Sequence, residues 1–212
     1  LGATGRTGRH AVAFALAKGY QVTVLVRDPA KMIGKSPNLT VLKGLPTDIA
    51  DVRMAMKDCD AVISLLSALP EKQSFSFRKV IPPHTLEKSI ANALQAMQEQ
   101  GIQRIISLSS IGAGDSYRYA PWYMRLMIKI TNFKIVFADH GAQERLLQES
   151  GLNWTIVRPV ALNENETMGT LVVNTAKTPS PFRMSRKQLA HFIIDNIDSE
   201  TYHRKTPILS EI

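Results

Sequence analysis

Leu1-Gly2-Ala3-Thr4-Gly5-Arg6-Thr7-Gly8-Arg9-His10 opens the chain, with glycines at 2, 5 and 8 running into a segment of helix formers. Each glycine answers a separate steric need. Gly2 lets the chain turn tightly out of a strand, Gly5 lets backbone come close to a pyrophosphate, and Gly8 lets a helix lie near the sheet. A helix starting here aims its unpaired N–H groups and the positive end of its dipole at a bound anion. Glycine-rich turns are common, so the following residues decide the matter. Ala11, Val12, Phe14, Ala15 and Leu16 give an apolar helical face, and Gly19 stands where a C-terminal capping glycine belongs. Val22, Val24 and Val26 then alternate as a strand. That is a βαβ unit of the right length for a dinucleotide site.

Such a turn should follow the middle strand of the sheet, and no such strand stands before Leu1. Core backbone groups would then lack partners, so several further residues are expected upstream. At the far end of the unit, Arg27 occupies the place where the adenosine ribose is read. A carboxylate there suits NAD, whereas an arginine favours the 2′-phosphate, so NADP(H) is preferred over NAD(H). Asp28 works against this unless its side chain turns away.

The 212 residues are 44% hydrophobic and 21% charged, enough for one sizeable core and one domain spanning 1–212. The lone cysteine, Cys59, cannot form an internal disulfide, and a cytoplasmic setting is the default. No transmembrane segment or signal peptide is visible. A net charge of +8 invites a nucleic-acid reading, yet the basic residues are scattered and no binding signature accompanies them, so nucleic acid is not an expected partner.

Further along, 39–42 reads as a strand, and Thr47 or Asp48 can cap a helix through Val52 and Met56. Residues 60–66 are nearly all apolar, as a strand covered on both faces should be, and they lead to Ser67. The loop 69–83 carries Phe75, Phe77, Arg78 and Lys79 and is either a lid or a surface connection. Leu86, Ile90, Leu94 and Met97 mark a helix stopped by Gly101, and strand 102–108 delivers Ser109 and Ser110 to the ligand edge. The stretch 116–138 has no carboxylate but mixes four basic residues with six aromatic ones. It suits a membrane, a protein partner, a pocket wall or a core-packing helix with a solvated basic face. Asp139 can cap a further helix, 153–159 is the last strong strand, and 160–184 would cover the pocket with a small strand near 170–175. Ser185 to Gln188 fits a capping box for a final helix, and 207–210 would be an edge strand. Strands alternating with helices give an α/β fold, a doubly wound parallel sheet with the ligand across the strand ends.

Five segments together carry a family resemblance: 2–8, 26–31, 107–110, 149–159 and 185–190. The chain resembles the atypical short-chain dehydrogenase/reductases, nearest to the NAD(P)H-binding flavin and biliverdin-IXβ reductases and the NmrA-like regulators. The resemblance covers essentially the whole chain and implies a Rossmann fold. It implies that Gly2, Thr4, Gly5, Arg6, Thr7 and Gly8 hold the pyrophosphate and Arg27 the 2′-phosphate. Leu66 and Ser67 would meet the adenine-side ribose and diphosphate, and Ser109 with Ser110 the nicotinamide end. Leu45 stands where many relatives have an aspartate near the adenine, leaving a backbone contact.

The Tyr-x-x-x-Lys pair of typical members is missing; Val136 and His140 fall in its places. Ordinary carbonyl reduction needs that phenol as an acid. Hydride transfer to a flavin, quinone or other small conjugated acceptor, which takes its proton from solvent, does not. Ser110, as a hydrogen-bond donor, and His140, as an acid near its ordinary pKa, are the catalytic candidates. The alternative is a non-catalytic NADP-sensing regulator that engages a protein partner through 116–138.

Overall fold

The computed structural model describes the chain apart from residues 33, 79 and 176. Lys79, named above within the 69–83 loop, lies outside the described residues. Helix α1 (Arg6–Ala17) starts one residue after Gly5, whose backbone is extended, and stops at Lys18, with Gly19 at φ +85°. Only a residue without Cβ adopts that left-handed conformation freely. Ala11 and Ala15 make a flat face against Ala190 and Ile194 of α7 (Arg186–Asp195), so the two helices approach closely.

Strands β1 (Val22–Val26) and β2 (Leu39–Lys43) pair in parallel, with Val22 opposite Leu39. A second sheet holds β3 (Ala61–Ser64), β4 (Arg104–Leu108) and β5 (Asn153–Pro159), all parallel. It continues through β9 (Ile208–Glu211) to β7 (Leu171–Asn174), giving the order β3-β4-β5-β9-β7. The expected edge strand at the C-terminal end is therefore an inner one. β9 runs parallel to β5 and antiparallel to β7, and β7 takes the edge. Residues 208–211 are fully covered for this reason, as a strand with neighbours on both sides and a helix beneath it must be.

Between β1 and β3 lies a cleft of about 560 Å³, bordered by Ala11, Val22, Val24, Ala61 and Ile63. Leu1 sits at its mouth and pairs with the neighbouring sheet: its nitrogen donates to the Ile63 carbonyl, and its carbonyl accepts from Leu65 N–H at 2.9 Å.

Helices cover both faces. On one, α2 (Ile49–Met56), α4 (Thr85–Gln100) and α6 (Phe133–Glu149) pack in a row over a core that includes Val52, Ile90, Met97, Ile105, Leu147 and Ile156. On the other, α1 and α7 lie together. Asp48 caps α2, accepting from Ala50 N–H at 2.8 Å. Ser185 caps α7, accepting from Gln188 N–H at 3.1 Å.

The stretch 116–138 is not one element. A 3-10 turn over Gly114–Tyr119 leads to α5 (Trp122–Ile130), and α6 already begins at Phe133. Asp139 is thus inside a helix and does not cap its own. Its carboxylate reaches α4, accepting from Leu86 N–H and Glu87 N–H, each at 3.0 Å. His84, at the N-cap of α4, has left-handed backbone and offers no side-chain cap, so the cap arrives from the neighbouring helix.

Candidate functional site

The opening turn is built as its glycines require. Gly2 has φ +84°, and a Cβ there would stand 2.6 Å from the Leu65 carbonyl. A Cβ on Gly8 would collide with the carbonyls of Gly2 and Ala3, so this glycine lets α1 sit on the turn itself. Gly5 N–H donates to the Gly2 carbonyl at 3.1 Å and closes the turn, with Thr4 half-buried inside it. The first N–H groups of α1 have no intrahelical acceptor and face the strand ends.

Arg27 is exposed at the end of β1. The neighbouring Asp28 carboxylate turns to its own loop, accepting from Ala30 N–H at 3.1 Å. Leu45 follows β2, close by, since Gly44 N–H donates to the Val26 carbonyl at 2.9 Å. The Leu45 N–H is taken by Asp51 Oδ2 at 2.8 Å, so Leu45 presents its half-exposed side chain where a backbone contact was expected.

Beyond the turn, one cavity of about 650 Å³ brings together Gly5, Arg6, Thr7, Leu66, Ser67, Ser109, Ser110 and His140. Its lining joins hydroxyls and the guanidinium of Arg186 to the side chains of Phe75, Met124, Met127, Phe133, Phe137 and Phe182. Residues 160–162 and Phe182 supply part of the wall. The covering segment is closed at its base by β6 (Leu162–Asn163) pairing with β8 (Met184–Ser185).

The two serines differ. Ser110 Oγ donates to the Ile111 carbonyl at 3.2 Å, a bond that satisfies local backbone. Ser67 Oγ is likewise used, donating to the Leu69 carbonyl at 3.1 Å. Among the described residues the Ser109 hydroxyl is buried with no hydrogen-bond partner, although its backbone N–H is tied to Val157 at 2.8 Å. A buried hydroxyl without a partner costs free energy, on the order of 1–3 kcal/mol.

His140 lies in the second turn of α6, 7% exposed, and burial lowers its pKa to about 4. The surroundings of His140 thus differ from those of an acid near its ordinary pKa. Gln143 fixes its tautomer: the amide nitrogen donates to the Leu108 carbonyl at 2.8 Å and to His140 Nδ1 at 2.9 Å, and the amide oxygen accepts from Ser107 Oγ. Nδ1 is then the acceptor, and the neutral ring carries its proton on Nε2.

Two features had no place in the sequence reading. Arg6 and Arg186 both reach Glu164 Oε1, at 3.1 and 2.8 Å, so two guanidiniums converge on one oxyanion beside the glycine turn. Arg186 offered a signal, because a cation in the first turn of a helix opposes the dipole and asks for an anion nearby. Arg158 is a buried frame behind the cavity, forking onto both Glu144 oxygens at 3.0 and 2.7 Å and bonding Asp115 as well. Its partners lie 14 and 43 residues away, and nothing local predicts them.

The chain is 28% identical over 207 residues to the chloroplastic Arabidopsis thaliana protein At2g34460, covering 94% of this chain and 71% of that protein. Among solved structures, a short-chain dehydrogenase/reductase of Veillonella parvula in complex with NADP superposes with a TM-score of 0.78 at 18% identity, over 100% of this chain and 92% of that one. ChuY, an anaerobillin reductase of Escherichia coli O157:H7, gives 0.78 at 19%, over 97% and 91%. These likenesses show a Rossmann fold. A family model described as NAD(P)H-binding matches residues 2–200, and the chain belongs to that NAD(P)H-binding family.

Proposed function

We propose that the protein is an NADPH-dependent reductase that passes hydride to a small conjugated acceptor, a flavin, quinone or similar, without a Tyr–Lys acid pair. The observation that carries this reading is one cavity that joins the glycine turn, Ser109 and Ser110 to a lining rich in aromatic side chains. When bound, NADPH supplies a hydride from its nicotinamide ring, and the one proton that completes the acceptor's reduction comes from solvent.

The chain's own residues bind, orient and exclude water. Gly2, Thr4, Gly5, Thr7 and Gly8 shape the cradle, and Arg6 with Arg186 hold the diphosphate in place of Glu164. Arg27 takes the 2′-phosphate, with Asp28 turned aside, while Leu45, Leu66 and Ser67 flank the adenosine half and the diphosphate. Ser109 lies toward the nicotinamide half, and the aromatic lining packs on a flat acceptor. His140 stays neutral and offers only its Nε2 proton as a hydrogen bond, in keeping with an acceptor that needs no protein acid. Ser110, held by its own backbone, has a lesser part than Ser109.

The test is NADPH oxidation, followed by its near-ultraviolet absorbance, against a panel of free flavins, quinones and conjugated ketones, with cofactor binding confirmed in the same sample. Turnover on a flat conjugated acceptor is expected. Tight NADPH binding with no turnover across the panel would overturn the reductase reading in favour of an NADP-sensing regulator.

A further inference from the structure

Helix α5 shows an outward face that none of the described residues covers. Met124 and Ile128 point inward and are buried. Trp122, Leu126 and Ile130 follow one another at the helical spacing on the opposite side and are 71%, 50% and 55% exposed. Arg125 and Lys129, both exposed, form one shoulder of this row, and Tyr123 and Met127, which line the cavity, form the other. Two further apolar residues extend the patch from the preceding loop, Phe77 at 77% and Ile81 at 89% exposed.

The loop is fastened to the helix junction. Asn132 donates from its amide to the carbonyls of Gln73 and Arg78, at 3.0 and 2.8 Å, and from its backbone to Ser76 at 3.2 Å. Phe75 packs edge-on against Phe133, centroids 4.8 Å apart. The exposed apolar tips therefore stand on a built surface.

Its charge has one sign. Residues 116–138 hold no carboxylate, while Arg118, Arg125, Lys129 and Lys134 are exposed there. The two flanking carboxylates are engaged elsewhere, Asp115 on Arg158 and Asp139 on the start of α4. Aromatic and aliphatic tips with a basic shoulder are what a helix lying in a lipid headgroup layer requires. Among the described residues no helix is long and apolar enough to cross a membrane, so contact would be with the surface alone.

We propose that α5, with Phe77 and Ile81 of the preceding loop, docks on an anionic lipid bilayer. Resting on the reductase reading, the acceptor is then lipophilic and enters the cavity from the bilayer side. Tyr123 marks the route, since its ring lies edge-on to exposed Trp122 at 6.1 Å and to cavity-lining Phe182 at 6.2 Å.

The experiment is co-sedimentation of the full chain with vesicles of phosphatidylcholine alone or with about a third phosphatidylglycerol, at low and high salt. Binding to the anionic vesicles is expected, at least about tenfold weaker for neutral vesicles or high salt, given the attraction of each basic residue to such a surface. Leu126→Ser with Ile130→Ser, and separately Arg125→Glu with Lys129→Glu, should each lose about tenfold while melting as the wild type does. No sedimentation with anionic vesicles overturns docking, as a protein-binding face would also give, and so does equal sedimentation of wild type and variants. NADPH oxidation with a water-soluble acceptor is read in parallel. Turnover without vesicle binding removes the docking alone, and vesicle binding without turnover removes the reductase reading alone. Acceptor entry predicts that a long-tailed quinone embedded in the vesicles is reduced several-fold more slowly by both double variants. Equal rates would overturn it.

Discussion

Ser109 and Ser110 stand side by side after β4 and meet different fates, one buried without a partner and the other bonded to the adjacent carbonyl. Sequence marked both as ligand-edge residues because the strand ends there. It held no sign of which hydroxyl is left without a local partner, since alternation along a strand breaks down at its last residue. If Ser109 donates to the bound dinucleotide, Ser109→Ala should weaken NADPH binding by about 0.5–1.5 kcal/mol, the net worth of one hydrogen bond, and Ser110→Ala should leave it nearly unchanged. Fluorescence titration of the two variants measures this directly. Equal losses would return Ser110 to the site. For His140, residue type pointed to an acid titrating near neutrality, and only the fold supplies the burial and the Gln143 contact that hold it neutral. The glycines at 2, 5 and 8 were legible because their requirement is steric and local. Arg186 and Glu164 were not, because their meeting depends on how the 160–184 segment folds back over the turn.

At the scale of elements, β1, β2, α4, β4 and β5 fell where periodicity and capping residues put them. The differences come from tertiary contacts. Asp139 looked like an N-cap because aspartate before an apolar helical stripe usually is one, yet Asn132 and Thr131 break the chain earlier and α6 starts at Phe133, whose N–H donates to Thr131 Oγ1 at 3.2 Å. Asp139 instead completes α4 from outside. Replacing it with alanine leaves two helix N–H groups without their charged acceptor and should cost about 1.5–3 kcal/mol of stability, with asparagine milder. Urea unfolding of Asp139→Ala and Asp139→Asn checks this, and a change below the error of the method would show that water caps α4 as well. Strand β9 was misplaced at the edge for a similar reason. Which strand ends a sheet depends on where the chain returns, and β7, from within the covering segment, takes that position.

Across the whole molecule, cavity and surface read as one arrangement. The glycine turn, two arginines and a set of aromatic residues line one cavity, and Tyr123 and Met127 of α5 join its lining to the helix's exposed face. The fold was legible in the first ten residues and the alternation that follows. The mixed lining of the cavity was not, because it gathers side chains from α1, the 69–83 loop, α5, α6 and the segment after β5. The claim on which the rest depends is that a dinucleotide lies across these strand ends with its 2′-phosphate at Arg27. Equilibrium titration of NADPH and NADH into the wild type and Arg27→Ala tests it most directly. NADPH should bind the wild type more tightly than NADH, and the substitution should cost NADPH about 1.5–3 kcal/mol, the scale of a hydrogen bond to a charged group, while leaving NADH nearly unaffected. An equal loss for both cofactors, or no binding of either to the wild type, would contradict it.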